Sequence, residues 1–188
     1  DRRVQQQITN ANYELGRQYL NLGDARAAEP YARAAVQRAD ALASSDPANM
    51  FWLSQSVFHR LGLAEIELAL ARREDARSDI ERAMVEIPRL IASDASAMNW
   101  QIKLKGRGLA LKALLAATEG NAAPTGELES YVTAVKGLES SSKQLNAEQT
   151  SVVAEAELLV GDWLRQSGKS DTAAEHWRAA ARRLQPCA

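Results

Sequence analysis

Cysteine, proline, glycine, aromatic residues and long apolar runs are all scarce in this sequence, and each scarcity excludes something. The single cysteine, Cys187, stands one residue from the end of the 188, so no internal disulfide can form and only a tail thiol is left. With 10 Gly, 5 Pro and 5% aromatics, set against abundant Ala, Leu, Arg, Glu and Gln, the composition is that of an all-helical chain. Neither sign of charge dominates: 23 Lys and Arg face 24 Asp and Glu, a net charge of -1, which gives no overall field to draw in nucleic acid or an anionic membrane. No apolar run approaches the roughly 20 residues of a membrane span, and Asp1-Arg2-Arg3 does not open a signal peptide. The start at Asp rather than Met suggests a piece of a longer protein. A cytoplasmic setting is favoured, with the periplasm as the alternative if a membrane segment precedes Asp1.

What is present is helical periodicity. Val4, Ile8, Ala11, Leu15, Gly16, Tyr19 and Leu20 recur at spacings of three and four, which predicts a first helix over Arg3 to Leu22 with these residues inward. Gly23 can take the left-handed backbone that ends it, and Asp24 can cap the next helix, Ala25 to Leu42, where Pro30 predicts a bend. Asp46 with Pro47 reads as a start signal for a helix reaching Ala71, and Asp94 as a second such signal for one running from Ala95 to Thr118. Between these lies a helix from Asp75 to Ile91, kinked or ended at Pro88. Glu119 to Gly126 carries loop residues, Glu127 to Lys143 forms a further helix, and Asn146 with Gln149 resembles a capping box ahead of Ala147 to Gln166. Ser167 to Ser170 is a turn, and Asp171 to Leu184 the last helix.

Asp46-Pro47-Ala48-Asn49-Met50-Phe51-Trp52 matches Asp94-Ala95-Ser96-Ala97-Met98-Asn99-Trp100 at an offset of 48 residues, and the same offset carries Gly16 to Ala64, Gly23 to Ala71, Ala28 to Ala76 and Ala35 to Ala83. Recurrence of Trp52 and Trp100 points to equivalent core niches. Small residues recurring at helix crossings, Gly16, Gly23, Ala28 and Ala35 first and Gly161, Gly168, Ala173 and Ala180 last, resemble the tetratricopeptide repeat. The third unit, with its loop before Gly126, matches that pattern least. The interval of 48 exceeds the usual 34 or so of that family, and such elongated repeats are similar to those behind the signalling modules of bacterial regulators and kinases.

The resemblance implies an all-α fold, an α-α superhelix of about four antiparallel helical hairpins in units of about 1–45, 46–93, 94–143 and 144–188. It also implies a concave groove lined by the first helix of each unit. By position that groove takes Asn10, Tyr13, Arg17 and Asn21, then Phe58, Leu61 and Glu65, then Glu155, Asp162 and Arg165. The lysine and asparagine set with which chaperone-binding members grip a terminal carboxylate is not reproduced, since Tyr13 and Arg17 take its places in the first unit. Lys103 and Arg107 share a face of the fifth helix and form a candidate anion contact, against the plainer reading of an exposed face paired with neighbouring acids.

No catalytic constellation emerges. His59 and His176 stand alone, no metal-ligand spacing occurs, and Gly106-Arg107-Gly108 lies inside a helical pattern with no preceding strand. The expectation is a non-enzymatic module without cofactor that binds a protein or peptide. A ligand-sensing regulatory domain of a bacterial transcriptional regulator or kinase is the alternative. Ala173, Trp177, Ala180, Ala181 and Leu184 on the last helix suggest a homodimer through a stripe otherwise facing water.

Overall fold

In a computed structural model, which describes residues 1–94, 100–121, 125–140, 145–166 and 168–185, the chain is all-α, with no strand among the described residues. Among the described residues eight α-helices follow in order: α1 (Arg2–Asn21), α2 (Ala25–Ser45), α3 (Met50–Ala69), α4 (Arg73–Ser93), α5 (Lys105–Thr118, entered through a π-helical turn at Trp100–Leu104), α6 (Thr125–Ser140), α7 (Ala147–Gln166) and α8 (Ser170–Leu184). They group into two compact units, Asp1–Trp100 and Gln101–Ala188. Within the first, α1 packs on α2, α2 on α3 and α3 on α4; within the second, α5 packs on α6, α6 on α7 and α7 on α8. No helix among the described residues is long and apolar enough to cross a membrane.

The repeat is written in the backbone of the hairpin turns. Gly23, Ala71, Gly120 and Gly168 have positive φ, at intervals of 48, 49 and 48 residues. Each turn closes with the same two bonds: Gly23 N–H donates to Leu20 and Asp24 N–H to Tyr19, and the pattern returns at Ala71 with Arg72, Gly120 with Asn121, and Gly168 with Lys169. These crossed bonds satisfy the last carbonyls of a helix, and they need one left-handed residue, for which glycine carries no Cβ penalty. Ala71, at φ 58°, bears that penalty. The turn of the third unit is therefore at Gly120, while Gly126, expected to end the loop, lies inside α6. The third hairpin belongs to the same series as the others.

Several helix ends differ from expectation for local reasons. Asp46 ends α2, and Pro47 occupies a turn closed by Asn49 N–H donating to the Asp46 carbonyl. The cap of α3 is Asn49, whose side-chain oxygen accepts from Phe51 and Trp52 N–H at 3.1 and 3.4 Å, so the helix starts three residues later than a Pro47 start. At its other end α3 stops at Ala69. Pro30 and Pro88 both sit inside continuing helices, α4 reaching Ser93 rather than ending at Pro88. The capping box forms as expected, Asn146 and Gln149 each accepting the other's N–H at 2.9 Å. Asp94, expected to open the next helix, caps the C-terminal end of α4, its N–H donating to the Leu90 carbonyl at 3.3 Å. Residues 95–99 that would follow it, the loop residues 122–124, residues 141–144 of the expected sixth helix, Ser167 and Cys187 all lie outside the described residues.

Burial also revises one face. On α1 the buried residues are Thr9, Tyr13 and Gly16, while Val4, Ile8 and Leu15, expected inward, are exposed. Their equivalents on α3, 48 residues on, are Trp52, Ser56 and Leu63, all buried. Packing neighbours set the difference, because α3 is sandwiched between α2 and α4 whereas α1 lies mainly along α2. The stripe expected to face water on α8 is partly consumed too: Ala173 and Ala180 are fully buried and Trp177 is half-buried, leaving Ala181 and Leu184 exposed.

Candidate functional site

The least ordinary chemistry of the first unit lies on α3, where charged residues occupy its apolar face. Arg60, 6% exposed, reaches Asp79 on α4 at 2.6 Å and Asp40 on α2, and Asp40 also accepts from Ser56. Burial works against the guanidinium charge, but the two carboxylates outweigh it and raise the Arg60 pKa above its ordinary value. Two turns along α3, the fully buried Glu67 accepts from Arg33 at 2.9 Å. Arg33 bonds Glu29 at 2.7 Å and lies 3.8 Å from Asp75, and Arg72 closes on Glu29. Burial, with Asp79 as a neighbouring negative charge, pushes the Glu67 carboxyl up to about 7 against the opposing pull of Arg33. Two chains of ion pairs, Arg72–Glu29–Arg33–Glu67 and Asp79–Arg60–Asp40, thus approach each other through two carboxyls, and a proton on Glu67 relieves the contact.

Beside Arg60 the space between α2 and α4 is an open groove of about 780 Å³. Asp40, Arg60, Glu81, Arg82, Glu86 and Arg89 supply its charges, and Val85 an exposed apolar side chain. Arg89 is tied to the Pro47 carbonyl at 2.7 Å, whereas Glu81 and Arg82 make no hydrogen bond or ion pair with any described residue. By helical spacing the α3 residues lining this groove, Leu53, Ser56, Val57 and Arg60, lie on the side turned away from Phe58 and Glu65.

The second unit repeats the device with its polarity inverted. Advancing by 97 residues, the interval from Ala71 to Gly168, carries Arg60 to Glu157 and Asp79 to His176. Glu157 on α7 is fully buried and bonds His176 Nδ1 on α8, with the same 19-residue separation as Arg60 and Asp79. A groove again adjoins the pair, of about 540 Å³, lined by Glu175, His176, Arg178, Ala179, Arg182 and Arg183. Glu81, Val85 and Glu86 of the first groove become Arg178, Arg182 and Arg183 here. Nearby, Trp177 packs over Gly161, where a Cβ would lie 2.5 Å from its Nε1, and donates to Asp162 at 3.2 Å. Tyr131, donating to the Ile102 carbonyl at 3.0 Å, has its phenol pKa raised by burial.

The groove residues expected from the sequence fall into different environments. Tyr13 and Phe58 do come together, ring centroids 4.8 Å apart, and Tyr13 also lies 5.0 Å from His59. Tyr13 is 9% exposed and Leu61 0%, so both belong to the core rather than to a surface. Asn10, Arg17 and Asn21 are exposed on α1, Arg17 lying 3.5 Å from Glu14, and Glu65 is half-buried. In the second unit Glu155, Asp162 and Arg165 are exposed on α7. Lys103 and Arg107 are half-buried, and Lys112 of the same basic run pairs with Glu127 of α6 at 2.6 Å. Among the described residues no three His, Cys, Asp or Glu side chains converge as metal ligands would.

Reasoning from the sequence missed Arg60, Glu67, Asp79, Glu157 and His176. A signal was available: Arg60 and Glu67 interrupt the apolar run of α3 on its core face, and the pairs 60/79 and 157/176 share one separation at one repeat offset. No protein-family model matches the chain and no curated protein is significantly similar to it, so the two grooves are interpreted from their own chemistry.

Proposed function

We propose that the chain is a non-enzymatic interaction module of elongated, tetratricopeptide-like hairpins that holds a peptide segment of a partner protein. The observation that carries this reading is the recurrence of one open groove at equivalent positions of both units, each beside a hydrogen-bonded acid–base pair and rimmed by charges of its own. Helices fixed by buried hydrogen bonds present their rim residues without rearranging the backbone on binding, which is what a docking surface needs. Both grooves open to solvent, a shape suited to an extended chain rather than to an enclosed metabolite, and this favours docking over the ligand-sensor alternative.

Panning a random-peptide display library against the immobilised chain tests the reading. Enriched peptides should lose binding to the double variant Arg82→Glu/Val85→Glu or to Arg178→Glu/Arg182→Glu, whose positions are on the rims. Peptides indifferent to both variants but sensitive to Asn10→Ala, Arg17→Ala and Glu65→Ala together would move the site to the first-helix face. Failure of any sequence to enrich removes the reading.

A further inference from the structure

The two grooves occupy equivalent positions in the repeat but differ in electrostatic character, the first balanced and the second basic. Around the first, Asp40, Glu81 and Glu86 balance Arg60, Arg82 and Arg89, and Arg60 is already held by two carboxylates. Around the second, three arginines on α8 stand against Glu175 at the rim and Glu157 beneath, and Glu157 is engaged by His176. Arg178 and Arg182 are exposed, one helical turn apart on one face, and neither makes a hydrogen bond or ion pair with any described residue. Like charges one turn apart on a helix repel each other, and an anion bridging them reverses that penalty.

We infer that the groove of the second unit is an anion-recognition site for an acidic peptide, whose carboxylates pair with Arg178 and Arg182; this rests on the peptide-docking reading above and assigns it a charge. Guanidinium forks match carboxylates in bidentate geometry, and the groove offers two of them one helical turn apart on α8. A peptide is favoured over nucleic acid because no Phe, Tyr or Trp is among the described lining residues to stack a base, and the chain as a whole carries a net charge of -1.

The test is fluorescence anisotropy with a labelled hexaglutamate peptide titrated with the full chain, alongside hexa-alanine and a single-stranded oligonucleotide. Hexaglutamate should bind, hexa-alanine should not, and affinity should fall about tenfold or more in Arg178→Gln/Arg182→Gln and as salt rises from low to physiological ionic strength. Arg26→Gln, exposed on α2 and outside both grooves, should leave hexaglutamate binding unchanged. Since both α8 positions are exposed, the variant should melt within a few degrees of the parent. Equal hexaglutamate binding by the parent and the α8 variant overturns the inference, as does tighter binding of the oligonucleotide, or displacement of the peptide by inorganic phosphate far below the sodium chloride concentration of equal ionic strength. If hexaglutamate fails while display-selected peptides still bind the first groove, the acidic assignment falls and the docking reading stands; if selected peptides fail as well, both fall.

Discussion

The two units answer one structural problem with opposite signs. In the first, the helix between its neighbours carries the base, Arg60, and the outer helix the acid, Asp79; in the second, the inner helix carries the acid, Glu157, and the outer helix the base, His176. The repeat has kept a buried, hydrogen-bonded pair at one crossing of two helices while the direction of the charge has reversed. The groove above has changed in step, with Glu81 and Glu86 over the arginine floor and Arg178, Arg182 and Arg183 over the glutamate floor. Packing shape and charge are therefore separable in this fold. Small residues set how close the helices come, and the identity of the pair sets what the surface above can attract.

The comparison breaks most visibly at Arg60. Arg60→Ala leaves Asp79 and the partly buried Asp40 without their partner and should lower stability by about 3–5 kcal/mol, whereas His176→Ala removes a half-buried ring from one carboxylate and should lower it by about 1–3 kcal/mol. Urea unfolding followed by far-UV circular dichroism ranks the two; equal losses would mean that the pairs are energetically interchangeable.

Next is pH. Glu67 in the folded chain holds its proton to about pH 7, while the unfolded chain releases it near 4.5, so the folded state binds more protons between those values. Stability from this group is full below pH 4.5 and falls by about 3 kcal/mol as pH rises through 7. Glu67→Gln should remove that slope and be the more stable form at pH 8. The second unit has Leu164 at the equivalent position, 2% exposed, and contributes no such slope. A parent and a variant with identical pH profiles from 4 to 8 would show that Glu67 titrates normally.

Crossing glycines sharpen the contrast at smaller scale. A Cβ on Gly161 would meet Trp177 Nε1 at 2.5 Å and the Ala173 carbonyl at 3.2 Å, so Gly161→Ala should destabilise by about 1–2 kcal/mol. At Gly16 the nearest atoms are the Ala28 carbonyl at 3.2 Å and Ala32 N at 3.3 Å, with no ring to displace, and the gain in helix propensity should bring Gly16→Ala close to neutral. Smallest is Ala71→Gly, expected to stabilise by about 0.5–1 kcal/mol by giving the second turn the residue that the other three already have. Thermal melts resolve both, and a lower Tm for Ala71→Gly would sink the account of the turns.

Helix identity was legible because the fold is local. Each helix carries its own apolar period, and the turns at Gly23 and Gly168 and the box at Asn146 advertise themselves within a few residues. Pro47 misled because proline fits a turn as well as a first helical position, and only the side chain of Asn49 decides between them. Gly126 misled because Gly120 alone takes the left-handed backbone. The grooves were not legible, since each is built from helices distant in sequence and its charge depends on which acid meets which base. The apolar run around Arg60 marks it off from Arg82, but which two carboxylates hold Arg60 is not written in its neighbours.

Interfaces lined by alanine are smooth. On α2 Ala28, Ala32 and Ala35, all buried, present similar bumps about one turn apart, so two such helices could settle after a slip of one turn, about 5.4 Å, with little loss of apolar contact. The Arg60 guanidinium, held from both sides by Asp40 and Asp79, acts as a detent against that slip, because sliding α3 by one turn would strand a charge in the interior. A chain made of near-identical hairpins has many almost-correct ways to stack, and one misplaced arginine is enough to reject them.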